Sequence, residues 1–404
     1  MSEVTSNFPQ LRFPDFDDKW EEKRLSDIAE KSNVKNRDNE VSSVFTNSAT
    51  KGVVNQRDFF DKDIANQNNL DGYYIINHDN FVYNPRISFS APVGPLNRNH
   101  LGTGVMSPLY TILKINNVSL DFIERYFKTT KWHRYMNNIA NIGARHDRMN
   151  IISSDFMKMP IPLPKDEEQQ KIAASLAAVD NKIEQLSKKQ ALLSEYKKGL
   201  MQQIFSQAIR FQADDGCDFP DWKERRLEEV ANFQRGKNIL EDKLGDKLLL
   251  GMGSVTEKGN LLINKNTSEQ YITLLKNDLV MPERDIGRGL IIGRVALIGQ
   301  SDKYVLGANI LSLTINSDNS SRFLFQIINE NNFRKKVRKI VSGSAQLMIT
   351  SKDAKKLALR LPVIEEQQQI ANFLSSIDNK IEQVGKQLDE SKQFKKALLQ
   401  QMFV

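Results

Sequence analysis

Cysteine is nearly missing. Cys217 is the only one in 404 residues, so no internal disulfide framework can hold the fold, and a reducing compartment is expected. Long apolar runs are missing too. No stretch of about 18 apolar residues occurs, which excludes a spanning helix. The polar opening MSEVTSNFPQ lacks the apolar core of a signal peptide. A cytoplasmic protein with no membrane partner is the expectation. Histidine is scarce: His78, His100, His133 and His146 are the only four, with neither cysteine partners nor metal-ligand spacing. No metal site is expected, and His146, beside Arg145 and Arg148, reads as a polar contact.

Catalytic motifs are also absent. No GxxxxGK[ST] loop occurs, and GMGS (251–254) is followed by a Lys-Gly-Asn turn rather than the helix that phosphate binding needs. Tyr83-Asn84-Pro85-Arg86 departs from the Asn-Pro-Pro-aromatic pattern of adenine-methylating enzymes. PDFDDKWEEK (14–23) has the acid–lysine order of some nucleases, but its counterpart PDWKERR (220–226) loses the spacing. No catalytic residue and no cofactor of this chain's own is assigned.

What the chain does have is repetition. DNKIEQ occurs at 180–185 and again at 378–383, and over 163–205 against 361–403 the match reaches 22 of 43 positions. A weaker echo sets WEEKRLSDIAE (20–30) over WKERRLEEVAN (222–232), while residues 31–160 and 233–360 scarcely match. The order is variable, constant, variable, constant. Two large units, not a solenoid of short repeats, are implied.

The constant segments carry a heptad seam. Ile172, Leu176, Val179, Ile183, Leu186, Gln190, Leu193, Lys197, Leu200 and Ile204 are spaced alternately by four and three. The positions 198 later hold Ile370, Leu374, Ile377, Ile381, Val384, Leu388, Ser391, Lys395, Leu398 and Met402. Acidic first turns (Asp166–Glu168 and Glu365–Glu366) suit helix N-termini. Each helix should run about 34 residues, roughly 50 Å. Such a seam must be covered, either in two separate globular cores or by the two copies packing on each other. Near-identity favours the second, an antiparallel coiled coil about a pseudo-twofold axis.

The variable stretches read as α+β. DGYYIINHDNFVYNPRISFS (71–90) shows strands and turns, and VSLDFIERYFKTTKWHRYM (118–136) one amphipathic helix. In the second, 248–264, 271–283, 290–299 and 308–316 read as strands and 321–340 as a helix. The expected fold is two α+β domains separated by two long helices, with boundaries 1–160, 161–215, 216–360 and 361–404. Charge is uneven: Lys+Arg against Asp+Glu is 19 to 18 over 15–160 but 24 to 17 over 218–360, within a net +7. A basic excess is compatible with nucleic acid.

Together these pieces resemble the specificity subunit of a type I restriction–modification enzyme. The carrying residues are the Trp-x-x-x-x-Leu pairs (Trp20/Leu25, Trp222/Leu227) and the Leu-Pro-x-x-Glu-Glu-Gln-Gln-x-Ile-Ala stretches at 163–173 and 361–371. SGSAQLMI (342–349), DNFVYNPRIS (79–88) and GVMSPLYTIL (104–113) add to it, and the likeness covers essentially the whole chain. The resemblance implies two target-recognition domains, each reading half of an interrupted sequence in double-stranded DNA. It implies no chemistry in this chain, and conserved helices that dock two methyltransferase subunits; the seam residues Ile172, Leu176, Ile183, Leu186, Ile370, Leu374, Ile381 and Val384 are the candidates for that docking and for the coiled coil. S-adenosylmethionine would sit on the methyltransferase partner, and the scheme leaves open whether two restriction subunits join. The rival readings are a DNA-acting enzyme (methyltransferase or nuclease) and a coiled-coil scaffold.

Base reading needs forked donors, Arg on guanine and Asn or Gln on adenine. The candidates in the first unit are Arg57, Asn84, Arg86, Arg98, Asn99, Arg145 and Arg148. In the second they are Arg235, Lys237, Arg284, Arg288, Arg294, Ser344 and Gln346, several within the glycine-rich PERDIGRGLIIGR (282–294). The Lys and Arg of FRKKVRKI (333–340) read as charges on a helix face, serving either phosphate contact or plain solvation. Phosphate contacts should outnumber base contacts. A helical spacer of fixed length would act as a ruler, so inserting four residues near Gln190 should lengthen the preferred spacing.

Overall fold

The computed structural model describes residues 8–59, 70–141, 147–287, 289–343 and 346–404. The chain divides into two units, Met1–Ser187 with Lys386–Val404, and Lys188–Gly385. These do not follow the four expected blocks, because each unit takes part of both long helices.

Within each unit the two constant echoes meet. Glu21–Arg24 pairs antiparallel with Pro160–Leu163, and Lys223–Arg226 pairs in the same register with Ala358–Leu361. Each variable stretch therefore begins and ends at one ribbon. Trp20 and Trp222 are buried next to these ribbons. Trp20 packs edge-on to Phe122 and Phe403, at 5.7 and 6.3 Å, and Trp222 edge-on to Phe323 at 5.9 Å.

Between the echoes, sequences that scarcely match give the same sheet. In the first unit the order is Ala29–Ser32, Thr111–Ile115, Phe81–Tyr83, Leu96–Arg98, all antiparallel. In the second it is Ala231–Arg235, Ile310–Ile315, Leu279–Pro282, Ala296–Leu297, again all antiparallel. The strands Phe81–Tyr83 and Leu279–Pro282 are buried throughout, which is why they read as short apolar runs without alternation. Helices Leu120–Phe127 and Ser321–Asn329 cover the sheets, each started by a serine hydroxyl (Ser119, Ser320) that accepts an amide hydrogen bond.

The single helix expected over 118–136 is two, Leu120–Phe127 and His133–Ile139. The Thr129 hydroxyl donates to the Tyr126 carbonyl and the Trp132 indole to that of Phe127. These carbonyls are thus claimed by side chains where the helix would otherwise continue. The helix expected over 321–340 also divides, at Glu330, whose backbone is extended and whose carboxylate caps Asn331–Ile340. Three expected strands shrink. Residues 248–264 keep the end of Lys247–Leu250 and an isolated bridge between Val255 and Leu261, 271–283 keep a bridge at Thr273 and the strand Leu279–Pro282, and 290–299 contribute only Ala296–Leu297.

The long helices are Asp166–Phe205 and Ile364–Gln401, 40 and 38 residues, or about 60 Å each. All twenty seam positions are at least half-buried, among residues that are mostly exposed on either side. In the first unit, Ile172 and Leu176 share a core with Leu398, Met402 and Phe403, and Asp180 meets Lys395 at 2.5 Å. In the second, Ile204 shares a core with Ile370 and Leu374, and Asp378 meets Lys197 at 2.7 Å. In both units numbers rise along one segment as they fall along the other, so the paired segments are antiparallel. The separate-core alternative is thereby set aside.

Candidate nucleic-acid interface

The frame on which the variable domains sit is set by residues of the Glu-Glu-Gln-Gln repeat. Glu168 is 1% exposed and Glu366 0% exposed, a cost that each offsets with a two-pronged arginine. Arg12 donates to both oxygens of Glu168 at 2.8 Å, and Arg210 to those of Glu366 at 3.3 and 2.8 Å. These bonds, more than the burial that opposes them, hold both guanidinium pKa values above the ordinary range. The Trp222 indole also donates to Glu366, at 3.2 Å. Gln169 accepts from the Ser119 amide and donates to the Pro164 carbonyl, as Gln367 does with Ser320 and Pro362. The repeat therefore locks the start of each long helix to the helix that covers a variable domain's sheet, Leu120–Phe127 or Ser321–Asn329. Sequence reasoning missed Arg12 and Arg210, although Leu11-Arg12-Phe13 and Ile209-Arg210-Phe211 stand at the same offset of 198.

From this frame each buried central strand delivers a loop to the surface, and a later segment pairs with that loop. In the first unit Met149 donates to the Pro85 carbonyl, Arg86 bridges Arg148, and Ile87 donates to Asp147. In the second, Ile349 donates to Glu283, Arg284 pairs with Met348, and Asp285 with Leu347. Arg86 and Arg284 thus hold equivalent places, 198 residues apart.

The first loop borders a cleft of about 570 Å³ whose walls include Thr46, Asn84, Arg86, Ser88, Tyr110 and Arg148. Gly94 brings the returning chain against Asn84: its φ is +82°, and a Cβ there would lie 2.2 Å from the Asn84 carbonyl oxygen. Asn84 is fixed by a bond to the Asn47 carbonyl and one from the Arg86 amide. The Arg86 side chain is exposed, with a 3.5 Å contact to Asp147. Arg57 is exposed on the short helix Gln56–Phe59.

Two candidates in this unit are corrected. Arg98 is nearly buried and bound to Asp79 and Asp121, both at 2.6 Å. Burial opposes its charge, but those carboxylates prevail and raise its pKa. Asn99 is 0% exposed, donating to the Asn77 and Gly102 carbonyls. Neither can reach a base. Arg145 and His146 lie outside the described residues.

In the second unit Arg235 keeps an exposed guanidinium that donates to buried Glu283 at 2.8 Å. Lys237 sits 3.6 Å from the Tyr271 ring centroid. Arg284 is half-buried on the paired loop, and Gln346 is exposed on its partner segment. Arg294 is corrected, since it donates to the Leu290 and Asn329 carbonyls and is desolvated enough to lower its pKa. The basic helix face needs a correction as well. Arg334 is buried, donates to the Gly289, Leu290 and Ile292 carbonyls, and has its pKa lowered to about 10 by burial and by neighbouring Arg294 and Arg338. Lys335, Lys336, Arg338 and Lys339 remain exposed. Arg288 and Ser344 lie outside the described residues.

The candidates for docking and the coiled coil all lie on the seam. Ile172, Leu176, Ile370, Leu374 and Val384 are buried, and Ile183, Leu186 and Ile381 half-buried in the seam. These eight side chains are taken up by the seam, so the surface left for another chain is the exposed sides of the helices. Two acids of PDFDDKWEEK are engaged too, Asp15 with Lys171 and Asp18 with Lys165. Among the described residues no cluster of three or more His, Cys, Asp or Glu could hold a metal ion. No helix among them is long and apolar enough to cross a membrane.

A family model described as the type I restriction modification DNA specificity domain matches residues 17–194 and 220–391. The type I restriction enzyme MjaVIII specificity subunit of Methanocaldococcus jannaschii is 27% identical over 315 residues, 73% of this chain and 72% of that protein. The putative MjaX specificity subunit of the same organism is 26% identical over 303 residues, 71% of this chain and 67% of that protein. Among solved structures, the S subunit of the type I restriction–modification system from M. genitalium superposes with a TM-score of 0.59 at 14% identity. That match covers 98% of this chain and 99% of the other. A chain from a study of type I R-M complex assembly gives 0.58 at 16% identity, covering 95% and 97%.

Proposed function

The chain belongs to the family of type I restriction–modification DNA specificity domains, and from that membership we propose how its two units are used. It is a non-catalytic specificity subunit with two recognition domains, and it acts with DNA and partner subunits in a complex. In our reading each domain reads one half of a bipartite target, with Arg86 and Arg284 at the centre of the two reading surfaces. Arg148, Asn84 and Arg57 support the first surface, and Arg235, Lys237 and Gln346 the second. The observation that carries this is the equivalence of the two paired loops. Sequences that differ almost everywhere still present a bridged arginine at the same place on the same frame.

Two methyltransferase subunits, each bringing its own S-adenosylmethionine, would dock on the exposed sides of the long helices. Tyr196 and Phe394, equivalent in the repeat and each 57% exposed, are the best anchors there. Two restriction subunits would complete the full complex, and its site of action would be the cytoplasm.

Mapping methylated adenines in host DNA with and without this gene tests the reading. One bipartite motif should vanish on deletion, and Arg86→Ala should degrade methylation at sites differing in one half only. An unchanged methylation map would overturn it.

A further inference from the structure

Among the described residues, none packs on Phe89. Its relative exposure is 107%, beyond that of a residue in an extended chain. Single exposed apolar residues are common and mean little by themselves. This one stands on a braced tip. Ser88 and Ala91 exchange both backbone hydrogen bonds, at 3.0 and 3.1 Å, and the Ser88 hydroxyl takes a further bond from Ala91 at 3.2 Å. The flanking Ser88 and Ser90 are short, so the ring projects alone, three residues after Arg86 and beside the cleft that holds Arg148.

The second unit repeats the device in other residues. Ile286, two residues after Arg284, is 68% exposed. Its loop is braced by the Asp285 carboxylate, which accepts from the Gly287 and Ile291 amides at 2.6 and 3.0 Å. From beneath, the Arg334 guanidinium holds the Gly289, Leu290 and Ile292 carbonyls. A buried carboxylate and a buried guanidinium spent on one surface loop fix where its tip points.

We propose that Phe89 and Ile286 are wedges that enter the base stack of the bound duplex, one in each half of the target. An apolar tip with cationic side chains behind it suits a DNA step that is pried open while its phosphates are held. Specificity then includes how readily a step unstacks, at positions touched by no hydrogen-bonding side chain. The proposal rests on the recognition reading above and adds the wedge to it.

The test uses the full chain assembled with its methyltransferase partner, on the duplex that methylation mapping identifies. 2-Aminopurine is placed in turn at each position of both halves except the methylated adenines. The wild-type complex should raise fluorescence at one step per half. Phe89→Ala should abolish the signal in the first half alone and weaken binding roughly ten-fold, the scale of a lost stacking contact. Ile286→Ala should do the same in the second half, and Phe89→Leu should retain most of the signal. Wild-type affinity and signal in Phe89→Ala would overturn the proposal, as would weaker binding with the signal intact, which would mark a groove contact instead. Failure to find any bipartite motif would sink the recognition reading before the wedge is reached.

Discussion

At the scale of single residues, chemically equal side chains in the repeat do unequal work. The acids at the starts of the long helices look alike in sequence, and all suit the positive end of a helix dipole. Asp166, Glu167 and Glu365 stay exposed to serve that role, while Glu168 and Glu366 are buried under Arg12 and Arg210. Helix periodicity could not separate them, because the arginines arrive from 156 residues away in each case. Replacing Glu366 with alanine should destabilise the protein by about 2–3 kcal/mol, less than the usual figure for a broken buried pair because Arg210 is partly solvated. Glu366→Gln should cost less, since an amide oxygen still accepts from the Trp222 indole. Urea unfolding of the two variants measures this, and equal stability of Glu366→Ala and wild type would remove the pair from the frame. Arg98 and Asn99 show the opposite misreading. Both have the donor chemistry of base reading, but local charge and backbone bonds consume it.

At the scale of elements, the heptad was legible because it is written twice, with eight of ten seam positions apolar in each copy. The strands were less so. Three- and four-residue segments buried on both faces carry no period, and the sheet order comes from long-range pairing that no local pattern encodes. Both helix breaks were missed because they depend on which carbonyl a threonine, tryptophan or glutamate side chain finds. On the seam the surprise is polar. Lys395 and Lys197 each meet the Asp of the DNKIEQ hexapeptide on the other helix. A double-mutant cycle on Asp180 and Lys395 should give a coupling of about 0.5–1 kcal/mol, since both side chains keep some solvent. Additive single effects would show no pairing in solution. Ile183→Asp and Ile381→Asp place unpaired carboxylates at half-buried seam positions and should each cost about 2 kcal/mol. Loss of partner binding in the double variant is the functional readout, and full retention of both binding and stability would argue that the seam is not packed.

For the whole molecule, the duplicated stretches define the job. They are the parts that touch the frame, the seam and the proposed partner docks, and they recur; the parts proposed to face DNA differ between the two halves while keeping one sheet order. Such a division lets reading surfaces change without disturbing assembly. Both long helices pass from one unit to the other, between residues 187 and 188 and between 385 and 386. Helix length should therefore set the number of base pairs between the two half-sites. Four added residues would enter the heptad as a stutter and locally unwind it. A cleaner experiment adds seven residues to both helices, near Gln190 and near Leu388, which keeps the seam in phase. Seven residues lengthen a helix by about 10 Å, so the preferred spacing should grow by about three base pairs. Methylation of a duplex series with graded spacers reads the shift directly. A variant that stays active at the original spacing would separate recognition from helix length and assign the ruler to some other part of the complex.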